Sequence, residues 1–103
     1  MDRVTKIKTM LQETPRDSFL QHALALEYVK LGNDAEARRL FENIIAGEPG
    51  YIGTYYHLAK LLERLRENDE ATRIYERGMA EARKAGDEHS YNELKSAYEE
   101  LIY

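Results

Sequence analysis

The sequence predicts an all-α fold of six helices, and three observations carry that expectation. Apolar residues recur at three- and four-residue spacing along most of the chain, the period of one helix face. No segment alternates apolar and polar residues with period two over a useful length, and β-branched residues are scarce. The two prolines and six glycines fall mostly between the periodic stretches, where they act as punctuation.

Val4, Ile7, Met10 and Leu11 mark a first helix over about residues 2–13. It stops ahead of Pro15, because the residue before a proline is pushed out of the helical region. Ser18 followed by Gln21 reads as a capping box opening a second helix, with Leu24, Tyr28 and Leu31 on one face. Gly32-Asn33 ends it, and Asn33 with Glu36 three residues on reads as the next N-cap. The third helix carries Ala37, Leu40, Phe41, Ile44 and Ile45 and breaks between Gly47 and Gly50. Tyr55, Leu58, Leu62 and Leu65 define a fourth, followed by a polar break at Glu67-Asn68-Asp69. The fifth holds Ala71, Ile74, Tyr75 and Met79 and ends at Gly86 as a C-cap. Tyr91, Leu94, Tyr98 and Leu101 make the last. Connections this short require successive helices to run antiparallel.

Self-comparison at an offset of 34 residues separates a repeat array from an irregular bundle. Residues 18–51 against 52–85 pair Leu24 with Leu58, Ala25 with Ala59, Leu31 with Leu65 and Glu36 with Glu70. They also pair Ala37 with Ala71, Arg39 with Arg73, Glu42 with Glu76 and Ala46 with Ala80. Tyr28 with Leu62, Leu40 with Ile74, and Phe41 with Tyr75 are conservative pairs. Short side chains at Ala25, Ala37, Ala59 and Ala71 have a physical purpose, since paired helices approach closely only where side chains are small.

A helix-turn-helix with this period resembles the tetratricopeptide repeat family. In the first repeat, Leu24-Ala25, Tyr28, Ala37, Phe41 and Pro49 stand at that family's characteristic positions. The second matches at Tyr55, Leu58-Ala59, Ala71 and Tyr75, and departs at Leu62, Gly78 and Arg83, where an aromatic, an alanine and a proline are usual. The missing proline accounts for a fifth helix that runs on to Gly86. Ile7, Met10 and Pro15 lie 34 residues ahead of Phe41, Ile44 and Pro49, so residues 2–15 read as a leading half-repeat. Residues 18–51 and 52–85 are then full repeats and 87–103 a capping helix, all within one domain of residues 1–103. The resemblance implies a right-handed solenoid of antiparallel helix pairs.

Composition narrows the function. With 43% apolar and 33% charged residues the chain is of globular type. At 103 residues it can bury roughly two-thirds of its unfolded surface in one core. The net charge of −4, with basic residues interleaved among acidic ones, argues against nucleic acid as a partner. The absence of cysteine excludes disulfides, thiolate nucleophiles and zinc-thiolate sites. No apolar run reaches the length of a membrane span, and no signal-like segment opens the chain, so the expectation is a soluble, cytoplasmic protein. Gly47, Gly50 and Gly53 lie in a helix-to-helix turn without the strand or Lys-Ser/Thr pair of a phosphate loop. Glu36, Glu42, Glu70 and Glu76 among Arg38, Arg39, Arg73 and Arg77 read as surface ion pairs. No enzyme, cofactor or metal is expected.

By the same resemblance, the first helix of each pair lines a concave groove that holds a peptide or partner helix. That implication places Phe19, His22, Leu26, Val29 and Lys30 on the groove from the first repeat and Tyr56, His57, Lys60 and Arg64 from the second. The last helix would add His89, Asn92, Glu93 and Ser96. Phe19 and Tyr56 are the natural anchors, because rigid aromatics dominate binding hot spots. One subset of the family clamps the terminal carboxylate of chaperone tails with lysine, asparagine and arginine. Here the matching positions hold His22, Leu26, His57, His89 and Glu93, so chaperone-tail binding is not expected. The mapping puts all three histidines on one face, which permits a pH-sensitive or metal-binding cluster, but three independent surface histidines are the favoured reading. The expected role is therefore binding another protein or peptide. The alternative is a structural piece of a longer array or a weak homo-oligomer.

Overall fold

A computed structural model describes residues 2–103; Met1, with which the single-domain reading of 1–103 begins, lies outside them. Among the described residues all regular structure is helical: α1 (Arg3–Glu13), α2 (Ser18–Lys30), α3 (Asp34–Gly47), α4 (Gly53–Arg64), α5 (Asn68–Ala85) and α6 (Glu88–Ile102). They form two compact units, one ending at Glu48 and the other spanning Pro49–Tyr103.

In the first unit α2 packs on both α1 and α3. Its core is Ile7 from α1, Leu24, Ala25 and Tyr28 from α2, and Ala37, Leu40, Phe41, Ile44 and Ile45 from α3. In the second unit α5 packs on both α4 and α6. Tyr55, Leu58, Ala59, Leu61 and Leu62 meet Ala71, Ile74, Tyr75 and Ala82, with Leu94 and Ala97 from α6 completing the core. Ala25, Ala37, Ala59 and Ala71 are all wholly buried, as the need for close helix approach requires.

Four helices open on a side chain that accepts from a first-turn backbone N–H: Asp2 from Thr5 at 2.8 Å, Asp17 from Leu20 at 2.9 Å, Asn33 from Glu36 at 3.5 Å and Asp87 from Ser90 at 3.0 Å. The cap of α2 is therefore Asp17, not Ser18. Ser18 is already helical, and its hydroxyl donates instead to Glu48 at 2.7 Å.

Three helices end in one geometry. Gly32 (φ 76°), Arg66 (φ 63°) and Gly86 (φ 70°) are left-handed. In each case the following N–H reaches back to a carbonyl of the last turn: Asn33 to Tyr28 at 2.9 Å, Glu67 to Leu62 at 2.8 Å and Asp87 to Ala82 at 2.9 Å. Leu31 and Leu65, expected on the core faces, sit at the C-caps before these turns and are 70% and 36% exposed. Met10 is likewise 49% exposed on α1. Asn68 and Asp69, expected in a break, form the first turn of α5.

Candidate protein-interaction faces

In the first unit the candidate residues lie along α2. Phe19, in its first turn, is 69% exposed, unusual for a ring of that size. His22 is half-buried, with its ring 5.7 Å from that of core Phe41 and tilted by 58°. One turn on, Leu26 is half-buried, and Lys30 closes the helix in solvent. Lys30 Nζ stands 3.0 Å from the Glu27 carboxylate, which also holds Arg3 at 3.1 Å. Glu27 itself is largely covered, so α1 and α2 are tied by a carboxylate between two cations.

In the second unit three candidates come together on α4. The rings of Tyr56 and His57 meet edge to face at 5.8 Å, and Lys60 Nζ lies 5.7 Å from the Tyr56 centroid. Lys60 also stands 3.7 Å from Glu63, whose carboxylate accepts a hydrogen bond from the buried Tyr75 hydroxyl of α5. Burial first, and then the Glu63 carboxylate, push the Tyr75 phenol far above its ordinary pKa. His57 has an exposed edge, yet atoms crowded about its ring desolvate it and lower its pKa, while the charge of Glu93 on α6 acts in the opposite sense. Arg64, His89, Asn92 and Glu93 are exposed.

The structure thus assembles Tyr56, His57 and Lys60 as a set, puts His57 within the field of Glu93, and turns His22 toward the core aromatic Phe41. Among the described residues no group of three or more histidine, aspartate or glutamate side chains is arranged to hold a metal ion. The expected surface ion pairs form between Arg38 and Glu42 at 3.2 Å, Arg39 and Glu36 at 2.9 Å, and Arg73 and Glu70 at 2.7 Å. Glu76 instead accepts from the Tyr98 hydroxyl at 3.4 Å, and Arg77 lies over the Tyr55 ring at 5.9 Å. Sequence reasoning missed the central place of Glu63 and Glu27. Nothing in their spacing sets them apart from the other acidic residues. Among the described residues no helix is long and apolar enough to cross a membrane.

Comparison with known proteins agrees with the helical-repeat geometry. A tetratricopeptide repeat family model matches residues 28–98. A tetratricopeptide repeat domain protein from Salinibacter ruber, solved by NMR, is 41% identical with a TM-score of 0.82, over 84% of this chain and 88% of that one. A crystal structure of such a domain from the same organism gives 41% identity and a TM-score of 0.80, over 84% and 97%. The TPR2B domain of yeast Sti1, in complex with pHsp70, shares the fold at a TM-score of 0.88 and 18% identity, over 96% of this chain and 79% of that one. No curated protein matches. With most of its length matched by the family model and by relatives of this identity, the chain belongs to the tetratricopeptide repeat family.

Proposed function

We propose that the chain is a non-catalytic interaction module whose partner peptide or helix is held by exposed faces of its repeat helices, that of α2 in the first unit and those of α4 and α6 in the second. The observation that carries this reading is Phe19, a large ring 69% exposed on the first helix of a repeat. Exposed aromatics of this kind are common binding anchors. Tyr56, His57, Lys60 and Arg64 extend the surface on α4, and His89, Asn92 and Glu93 on α6. With Leu26 and Glu93 where the chaperone-tail clamp has other residue types, the partner presents an internal segment rather than a free carboxylate. The role needs no cofactor, nucleic acid or membrane, and it fits a cytoplasmic location.

A screen of arrayed peptides against the full chain tests the reading. Binders should emerge, and Phe19→Ala or Tyr56→Ala should weaken them about tenfold or more while the melting temperature holds. Binders indifferent to both substitutions would overturn the assignment of these faces. The structural alternative, self-association, draws on the half-exposed Met10 of α1. Sedimentation showing a strict monomer at high concentration would remove it.

A further inference from the structure

In the first unit α1 is the helix least able to stand alone. Val4, Thr5, Ile7 and Thr9 are β-branched, and the Thr9 hydroxyl donates back to the Thr5 carbonyl at 2.9 Å, a bond that mildly weakens a helix. Its end charges oppose the backbone dipole: Arg3 opens it and Glu13 closes it, with no acid in the first turn and no base in the last. Its one buried side chain is Ile7, whereas α2 buries Leu24, Ala25 and Tyr28 and α3 buries five residues. Eleven residues do not hold a helix by themselves in water. So α1 persists by docking on α2, and release unwinds it.

Apart from Ile7 and the half-buried Val4 and Leu11, α1 is joined to α2 by two cations. Lys8 Nζ lies 5.8 Å from the centroid of the Tyr28 ring, and Tyr28 first, then Glu36 of α3, raise its pKa. Arg3 Nε faces Glu27 Oε1 at 3.1 Å, while Glu27 Oε2 faces Lys30 at 3.0 Å. The Glu27 side chain is only 13% exposed, so water does little to separate these two contacts. One covered carboxylate thus serves a cation of α1 and a cation of the α2 interaction face.

We propose that α1 is a releasable strap, and that Glu27 couples its release to the α2 interaction face. A partner acid that draws Lys30 off Glu27 leaves the carboxylate to Arg3 and tightens α1. Release of α1 leaves it to Lys30, which is then less free to meet a partner. The coupling is reciprocal, as linkage requires. The strap stands on the geometry of the free chain; only the use made of the coupling rests on the interaction face proposed above.

Native-state amide exchange of the full chain, with no partner present, tests both parts, so failure here leaves the interaction reading to its own peptide screen. Residues 6–13 should share one opening equilibrium and be protected at least about tenfold less than α2 and α3. Raising sodium chloride to about 1 M, where fields reach only about 3 Å, should lower α1 protection about threefold relative to α2 and α3. Arg3→Gln and Glu27→Gln should each lower it about threefold to fivefold, while Lys6→Gln, the same charge change at an exposed position of α1, should not. Lys30→Gln should do the reverse and raise it about twofold, because Arg3 then has Glu27 to itself. Protection across α2 and α3 shows in each variant that the unit is folded. Protection of α1 that matches α2 and α3, that declines gradually toward Arg3 and ignores salt, or that Arg3→Gln leaves unchanged overturns the strap. If Lys30→Gln lowers α1 protection or leaves it unchanged, the coupling is overturned, since Glu27 is then a fixed support.

Discussion

A Cβ placed on Gly78 would stand 2.7 Å from the Cβ of Tyr55 and 3.0 Å from Leu94 Cδ1. The glycine is thus required by contact between side chain and helix backbone, within a helix where alanine would otherwise be preferred. Gly78→Ala gains about 1 kcal/mol of helix propensity. Overpacking at a core site this close costs about 1–3 kcal/mol, so the variant should melt lower. Gly47→Ala, where an added Cβ meets nothing within 4 Å, should leave stability unchanged or raise it. Equal responses in thermal melts would contradict the packing argument.

Arg66 holds a left-handed backbone at the position where the other repeat places Gly32. A residue with a Cβ is strained there by about 1 kcal/mol or more, part of which a glycine returns to the unfolded chain as entropy. Arg66→Gly should stabilise the protein by about 0.5 kcal/mol, and Gly32→Ala should destabilise it by about 1 kcal/mol. Urea denaturation midpoints check both signs. A loss on Arg66→Gly would mean that the arginine side chain contributes something the strain argument omits.

The cap of α2 separates two neighbouring residues. Asp17→Ala removes the acceptor for the Leu20 N–H and should cost about 1 kcal/mol. Ser18→Ala loses only the exposed bond to Glu48 and should cost a few tenths of that. If chemical denaturation ranks them the other way, the capping box suggested by Ser18 and Gln21 is the better description.

Stability should also depend on pH at the helix starts. The Ser90 backbone N–H, and then its side chain, hold Asp87 below its ordinary carboxylate pKa, and Thr5 does the same for Asp2. A depressed folded-state pKa means that the contribution is whole above the unfolded value of about 4 and is lost as pH falls through the folded value. Protection of the Ser90 and Thr5 amides, taken relative to the intrinsic exchange rate at each pH, should therefore fall below about pH 4. Asp87→Asn keeps an acceptor but no charge, so its Ser90 exchange protection should not change with protonation at that site. A Ser90 profile shared by wild type and Asp87→Asn would rule out this origin.

Much of the fold was legible because it is written in local chemistry. Helix period, the Asn33 cap and the Gly32 and Gly86 terminations each depend on residues within one turn of one another. Arg66 escaped because arginine advertises no preference for the left-handed backbone that it adopts there. Leu31 and Leu65 continue the apolar period but fall one residue past the helix, where the chain swings them into solvent. At the candidate faces, the exposure of Phe19 and the grouping of Tyr56 with Lys60 agree with their helical spacing. The bond from Tyr75 to Glu63 depends on how α4 and α5 are rotated about their axes, which spacing within one helix does not report.

Within each unit the packed helices are neighbours along the chain: α1 on α2 and α2 on α3, then α4 on α5 and α5 on α6. Each of these contacts closes only a short loop, so little chain entropy is surrendered before it is made. Such local topologies fold in microseconds to milliseconds. During synthesis, α1, α2 and α3 can pack on one another once Glu48 has cleared the ribosome. An interaction surface built this way can begin to be presented before the rest of its polypeptide exists.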